Sequence, residues 1–163
     1  MGVSGASDIF LHIQAKRAGK LKGEATSDQH QDDIEVSSWQ WGVSSATAIG
    51  SSQSTARRSY KALTIVKHID CATTALMSAL ATNDELKQVK LSMRKAGGGQ
   101  LDYFVVTLEQ ARVISVDHQS DASSDTSEVV AIAFQKVDVQ YRPQRETGGL
   151  TGTFSFTDQI LGN

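Results

Sequence analysis

The sequence has only one cysteine, which could form a cross-link, and only one proline, which interrupts helices and strands, among 163 residues. Because a disulfide needs two thiols, the lone Cys71 excludes an internal disulfide and a cysteine-based zinc cage, which favours folding in the cytosol. We interpret Cys71 as a small buried residue. No run of about 18 apolar residues is present to cross a bilayer as a helix. The N-terminus also lacks the apolar core of a Sec signal. We therefore expect no membrane partner.

Excess charge of either sign is also small, since 16 basic and 18 acidic residues leave a net charge of −2. A nucleic-acid binder driven by counterion release needs a basic surface, so we exclude nucleic acid as a partner. Locally, a basic cluster at residues 16–22 is followed by an acidic one at residues 24–35. These clusters form either a solvated turn of mixed charge or opposite surfaces that meet on neighbouring subunits.

Residues that could perform chemistry do not combine into a site along the sequence. The four histidines lie on separate segments, without the close spacing of a local metal pair. Residues 28–33 lack the glycine and distal glutamate of a calcium loop, so we interpret them as a charged turn. No serine lies in a G-x-S-x-G elbow. We therefore expect no catalytic residue, no metal and no cofactor, and we do not interpret the protein as an enzyme.

Alternation of apolar and polar residues is the main pattern along the chain. It predicts strands near residues 9–15, 63–69 and 89–93, and longer strands near 101–116 and 129–141. The last of these changes its apolar phase at Gln135-Lys136, which we interpret as a bulge within one strand. Polar stretches at 44–59 and 117–128 predict long loops. The sequence thus predicts a mainly β fold, a compact β-barrel and not a flat sandwich.

Two local signals add detail to this prediction. The run Arg94–Gln100, RKAGGGQ, is typical of a glycine-rich hairpin turn. One helix is predicted after Asp70 and ends near Asn83. Its apolar stripe at helical spacing consists of Ala72, Leu76, Ala79 and Leu80.

Both tryptophans of the chain lie in one segment, IEVSSWQWGV, at residues 34–43. Trp39 and Trp41 are two residues apart, so in a strand they share one face and Gln40 points to the other. The apolar residues before them occupy even positions, so the apolar phase flips near Ser37-Ser38. Such a flip predicts a bulge or a strand that passes from one packing surface to another.

Several segments, in this order, resemble the Hcp (haemolysin-coregulated protein) family, the secreted tube proteins of bacterial type VI secretion systems. The W-x-W-G element, the RKAGG turn and the Y-x-P-Q ending are its most specific motifs. The tail TFSFTDQILGN is similar to the family's final strand, but has phenylalanine where tryptophan is commoner. The other matching segments are IFLHI (9–13), LKGEAT (21–26), DDIEVSSWQWGV (32–43), KHID (67–70), LSMRKAGGGQLDYFVVTLE (91–109) and VQYRPQ (139–144).

The resemblance implies a tight β-barrel of two packed sheets with one flanking helix, like a phage tail-tube protein. It implies a single tube domain over residues 1–163, with a core at about 8–144 and a tail strand at about 152–158. Hexameric rings of such domains stack into the inner tube of the secretion system and hold effector proteins in the lumen. Tail-spike and contractile-sheath proteins are the further implied partners.

The resemblance also implies a location and residue roles. The protein is made in the bacterial cytoplasm without a Sec signal and is secreted into the medium or into target cells. Gln40 is expected to line the lumen, and Trp39 and Trp41 to anchor core or ring packing. Arg57 and Arg58 are expected at ring-to-ring contacts, opposite the acidic segments 28–35 or 117–128.

Two other functions remain open from the sequence. A phage or phage-like tail-tube subunit shares the architecture but does not deliver effectors. A monomeric barrel that binds a small apolar ligand predicts a roomy interior and no ring, although the apolar side chains suffice to fill a small barrel.

Overall fold

The fold is described from a computed structural model, which covers residues 8–46, 49–50, 57–95, 101–143 and 152–160. Ten strands and one α-helix, α1 (Thr73–Ala81), make up this part of the chain. The strands are β1 (Ile9–Ala15), β2 (Gly19–Lys20), β3 (Ile34–Glu35), β4 (Ser38–Ser45), β5 (Arg58–His68), β6 (Leu86–Arg94), β7 (Asp102–Ser120), β8 (Thr126–Ala133), β9 (Lys136–Tyr141) and β10 (Phe154–Gln159).

The strands form two antiparallel sheets that share the long strand β7. Sheet A runs in the order β10-β9-β7-β6-β1, and the short strands β2 and β3 lie on the outer edge of β1. Sheet B runs in the order β7-β8-β5-β4. Residues 102–111 of β7 pair with β6 in sheet A, and residues 112–120 pair with β8 in sheet B. Gln110, at the junction, has a φ of 50°, a left-handed conformation that turns the strand there.

The hydrophobic core lies between the two sheets because strand alternation directs one face of each towards the other. Leu11 of sheet A and Ile65 and Ile132 of sheet B are fully buried in it. The predicted apolar face of β1 is confirmed, since Leu11, Ile13 and Ala15 belong to the core. The predicted faces of β5 and β6 are confirmed in the same way, except for Ile69, which follows β5 and is 54% exposed.

The helix forms where it was predicted, and local hydrogen bonds fix its start. The Asp70 carboxylate accepts the N–H of Ala72 at 2.9 Å, and the Thr73 hydroxyl accepts the N–H of Asp70 at 3.1 Å. Asn83, with a φ of 52°, ends the helical segment. Leu76 is buried, but the prediction that Leu80 faces the core is wrong: Leu80 is 38% exposed, because this short helix packs through a narrow stripe.

Three predictions about chain path are corrected. The expected single strand at 129–141 is two strands, because the phase slip at Gln135-Lys136 marks a transfer from sheet B to sheet A. The expected loop at 117–128 is mostly a tight hairpin, in which Ser120 pairs with Thr126. The expected loop at 44–59 is shortened at both ends, as β4 reaches Ser45 and β5 begins at Arg58.

The predicted glycine-rich turn lies mostly outside the described residues, at 96–100.

The predicted mainly β class with one flanking helix is confirmed, but the barrel is not closed by a continuous ladder. Near Ser37 the chain leaves β1, to which β3 pairs, and joins β5 as β4. This transfer confirms the second interpretation of the phase flip. Within the described residues β4 pairs with β5 alone, so the fold is two sheets folded over one core.

Candidate assembly surfaces

The tryptophan strand β4 directs its two faces to different surroundings. Trp39 stacks on Phe104 at a centroid distance of 6.2 Å, and Trp41 stacks on Tyr60 at 6.0 Å. Both tryptophans are partly buried against the core. Gln40 is exposed on the opposite face of sheet B. β4 therefore presents the core with aromatic rings and the outside with a neutral amide.

Gln40 belongs to a row of uncharged side chains across the outer face of sheet B, and the other three members of the row are short. It pairs with Thr64, Thr64 pairs with Ala131, and Ala131 pairs with Ser115. We call this row, Gln40-Thr64-Ala131-Ser115, the neutral row. It combines hydrogen-bonding groups with little side-chain bulk, so the outer face of sheet B is shallow at its centre.

Arg58 and Tyr60 connect sheet B to the tail strand β10. Arg58 donates to both carboxylate oxygens of Asp158, with Nη2 2.9 Å from Oδ1, and to the Gln159 carbonyl at 3.0 Å. The Tyr60 hydroxyl donates to the same carboxylate at 2.6 Å. These hydrogen bonds, first from Arg58 and then from Tyr60, lower the pKa of Asp158. We call the contact among Arg58, Tyr60 and Asp158 the β5–β10 clamp.

A row of charged side chains is enclosed at the opposite end of sheet B, next to the start of α1. Lys67 is fully buried, and its ammonium lies 2.5 Å from Glu128 and 2.8 Å from Asp70. His118 approaches the second oxygen of Glu128 at 2.7 Å. Burial alone would raise the pKa of Glu128, but hydrogen bonds from Lys67 and His118 outweigh burial and lower it. The network ties the helix to sheet B.

A second enclosed network fixes the segment that runs along the edge of β1. His30 is buried, with Nδ1 3.0 Å from Asp33 and Nε2 3.1 Å from Asp102, and it stacks on Phe10. His12 lies 3.1 Å from the other oxygen of Asp33. Burial would raise the pKa of Asp33, but these hydrogen bonds and that from Lys20 lower it. The solvated-turn interpretation is therefore wrong for His30 and Asp33, although it fits the exposed Asp28.

The remaining candidates for chemistry do not form a reactive site. Cys71 is exposed, so its predicted burial is wrong, and its thiol donates to the Lys22 carbonyl at 3.2 Å. Desolvation and the Glu24 carboxylate raise its pKa, which disfavours the reactive thiolate. In the described ranges no group of three or more histidine, cysteine, aspartate or glutamate residues is arranged to hold a metal ion. No helix there is long and apolar enough to span a membrane.

Comparison with known proteins identifies the family. The family model described as "Type VI secretion system effector, Hcp" matches residues 10–141. The chain belongs to the Hcp family. Its relative "Protein hcp1" of Pseudomonas aeruginosa is 33% identical over 151 residues, which cover 90% of each chain. A second relative from this organism, 25% identical over 138 residues, is named "Major exported protein".

Solved Hcp structures share the fold over nearly their whole length. Hcp1 from the E. coli EAEC 042 pathovar has a TM-score of 0.77 at 20% identity, over 94% of this chain and 99% of that one. Hcp2 from Salmonella typhimurium has a TM-score of 0.71 at 26% identity, over 96% and 98%. The matches agree with the resemblance that the W-x-W-G element and the RKAGG turn indicated.

The site residues expected from the sequence are spread over different surfaces. Trp39 and Trp41 lie against the core, Gln40 lies in the neutral row, and Arg58 lies in the β5–β10 clamp. Arg57 is exposed just before β5. Neither enclosed charge network was predicted from the sequence pattern. The signal for the burial of Lys67 is its number, because it continues the odd-numbered positions of Leu63 and Ile65, which form the core face of β5.

Proposed function

We propose that this Hcp protein forms hexameric rings that stack head to tail into the inner tube of a type VI secretion system. In this proposal residues 1–163 act as one tube domain, and small effector proteins travel in the lumen of the ring. A contractile sheath and a tail spike act on the stacked tube. The observation that carries the proposal is the neutral row, because a cargo passage needs a wall that is wettable, shallow and free of strong charge.

Gln40 is the residue that we propose faces the lumen most directly. Its amide lies on the outer face of sheet B, away from the core, and its neighbour Thr64 is polar and short. An amide can donate and accept hydrogen bonds, so it suits a passing protein surface without fixing one sign of charge. Trp39 and Trp41, on the reverse face, hold the strand on the core beneath it.

The lumen assignment is tested with Gln40→Arg, co-expressed with small effector proteins of the same secretion system. We expect the variant to form rings of normal mass but to retain less effector, because six guanidinium groups crowd and charge the passage. Gln88→Arg is the matched control, since Gln88 is an exposed glutamine on the outer face of sheet A. Effector retention measured by copurification that is the same in all three proteins would contradict the lumen assignment.

Ring stacking is supported by the unequal charge of the two ends of sheet B. At one end, Ser45 pairs with Arg58 and Arg57 is exposed beside it. At the other end, the β7–β8 hairpin carries the exposed Asp121 and Asp125. Head-to-tail stacking brings unlike ends together. This favours residues 117–128 over residues 28–35 as the partner segment of the arginines.

Because Arg58 already pairs with Asp158 within the chain, Arg57 is the sharper test of stacking. We expect Arg57→Glu to form rings that no longer extend into tubes, measured by negative-stain imaging and sedimentation. Adding Asp125→Arg should restore tube length, since the charges at the junction are then exchanged. Tubes of normal length from Arg57→Glu alone would refute this pairing.

A further inference from the structure

The tail strand β10 leaves an aromatic surface exposed on the face of sheet A that forms the core. Phe154 pairs with Tyr141, and Phe156 pairs with Val139. Residues that pair directly lie on the same face of a sheet. Val139 packs against the core, yet Phe154 is 66% exposed, Phe156 48% and Tyr141 43%. We call Tyr141, Phe154 and Phe156 the aromatic shelf.

The shelf is exposed because sheet B does not extend over it. Sheet B covers the neighbouring strand β7, where Trp39 stacks on Phe104. Among the described residues, sheet B contacts β10 through the hydrogen bonds of Arg58 and Tyr60 at Asp158 and Gln159. Beyond Asp158, towards Phe154, the apolar face of sheet A continues without a cover from the described part of the chain. The shelf is therefore a continuation of the core onto the surface.

The size of the shelf indicates a protein partner. An aromatic side chain buries about 150–250 Å² when enclosed, so three half-exposed rings present on the order of 300 Å². The largest apolar patch on a typical monomer is about 300–600 Å² and is often functional. A stable subunit contact buries about 800 Å² on each partner. The shelf is thus large enough to form the apolar centre of such a contact, but not all of it.

The opposite edge of sheet A has the charge that suits this surface. Lys95 and Arg142 lie beside Tyr141, where they line a shallow hollow of about 300 Å³. At the far edge of the sheet, the segment 21–35 runs along β1 and contains five acidic residues and one lysine. Asp33 is buried and pairs with Lys20, whereas the other four carboxylates are exposed or partly exposed. The two edges of one sheet therefore differ in charge, and unlike surfaces are what a closed head-to-tail ring joins.

We infer that the aromatic shelf is the lateral docking surface for a second copy of this chain, which places the acidic segment 21–35 on it. This inference rests on the proposed ring and adds which two edges meet. The second copy covers the three aromatic rings, and its acidic groups face Lys95 and Arg142. The enclosed His30 network holds the docking segment in shape, because Asp33 and Asp102 fix it from within the chain.

The first test changes the shelf and measures the mass of the full chain by native mass spectrometry and light scattering over a wide concentration range. We expect Phe154→Ser with Phe156→Ser to raise the concentration for half-assembly at least tenfold, the effect of losing about 1.4 kcal/mol. Met77→Ser is the matched control, because Met77 is 47% exposed on α1, away from the shelf. Circular dichroism verifies that each variant is folded.

The second test uses two variants that each lose one edge. The shelf variant keeps segment 21–35, whereas Asp28→Lys with Gln31→Lys changes two exposed residues of that segment and keeps the shelf. At a concentration at which the parent protein assembles, we expect each variant alone to be monomeric and their mixture to form a dimer of one copy of each. This outcome requires two unlike surfaces in contact, so it does not depend on any single variant's stability.

The outcomes separate the inference from the proposed function. Rings formed equally well by the parent protein and the shelf variant overturn the docking assignment and leave the ring intact. An equal loss of assembly in Met77→Ser, or a mixture that stays monomeric, also overturns the assignment. A parent protein that is monomeric at every concentration overturns the proposed ring itself.

Discussion

Lys67 offers the sharpest test of how this fold is held together. Its ammonium is fully buried and lies within hydrogen-bond distance of Glu128, Asp70 and Thr73. Lys67→Met keeps an unbranched side chain, one heavy atom shorter than that of lysine, but leaves the Glu128 carboxylate enclosed without its cation. Removing one member of a buried ion pair typically costs about 3–5 kcal/mol of folding free energy.

Protonation of Glu128 sets an upper limit on this cost, because the folded variant can take up a proton on Glu128 and so avoid an enclosed, unpaired charge. At pH 7, protonating a carboxyl whose unfolded pKa is 4.5 costs about 1.4 kcal/mol for each intervening pH unit, or ~3.4 kcal/mol in total. We therefore expect Lys67→Met to lose ~3 kcal/mol at pH 7. The loss should shrink as the pH falls, since the folded variant binds the proton more tightly than the unfolded chain.

Denaturant unfolding followed by circular dichroism, at several pH values and with all proteins in one assembly state, measures this effect. The control is Lys67→Met combined with Glu128→Leu, which removes the two fully buried charges and should recover most of the lost free energy. Asp70 is partly exposed and keeps its hydrogen bond from the Ala72 N–H in both variants. His118 is partly exposed and can be solvated without Glu128. A loss below about 1 kcal/mol for the single variant, or one independent of pH, would show that Lys67 does not stabilise the Glu128 carboxylate.

The other predictions concern packing, the tail strand and acid. Gly23→Ala should destabilise the fold, as measured by thermal unfolding, because the new Cβ would lie 2.4 Å from the Asp33 carbonyl oxygen; Gly42→Ala, with only a side-chain carbon at 3.9 Å, should cost much less. Asp158→Asn should weaken the β5–β10 clamp and speed hydrogen exchange of β10 amides while β1 stays protected; unchanged exchange would count against the clamp. The lowered pKa values of Asp33 and Glu128 contribute stability that is complete above their unfolded pKa values and is lost as the pH falls below about 4. Acid titration of unfolding should show that loss, and a stability that rises into this range would contradict it.

Much of the fold could be predicted because strand alternation is a local signal. The faces of β1 and β6 follow directly from the spacing of Leu11, Ile13 and Leu91. The split between β8 and β9 could not be predicted from the phase slip at Gln135, because a bulge and a transfer between sheets shift the apolar phase alike.

The enclosed networks were harder to predict for a different reason. His30 and Asp102 are far apart in sequence and meet only after sheet A has formed. Lys67 interrupts the apolar face of β5, so its burial could not be predicted until its partner Glu128 was known. For the aromatic shelf, the sequence predicted only a tail strand that includes Phe154 and Phe156. The exposure of these rings could not be predicted, because it depends on where sheet B ends.

The continuity of β7 has a mechanical consequence. A single backbone of 19 residues carries the ladders of both sheets, so the unfolding of either half of β7 removes the covalent anchor of the other half. Force applied at one end of the subunit therefore passes along the covalent backbone of β7, and not only through the noncovalent packing between the two sheets. The subunit should therefore resist or yield as a whole, with amide protection that rises and falls together on the two flanks of Gln110.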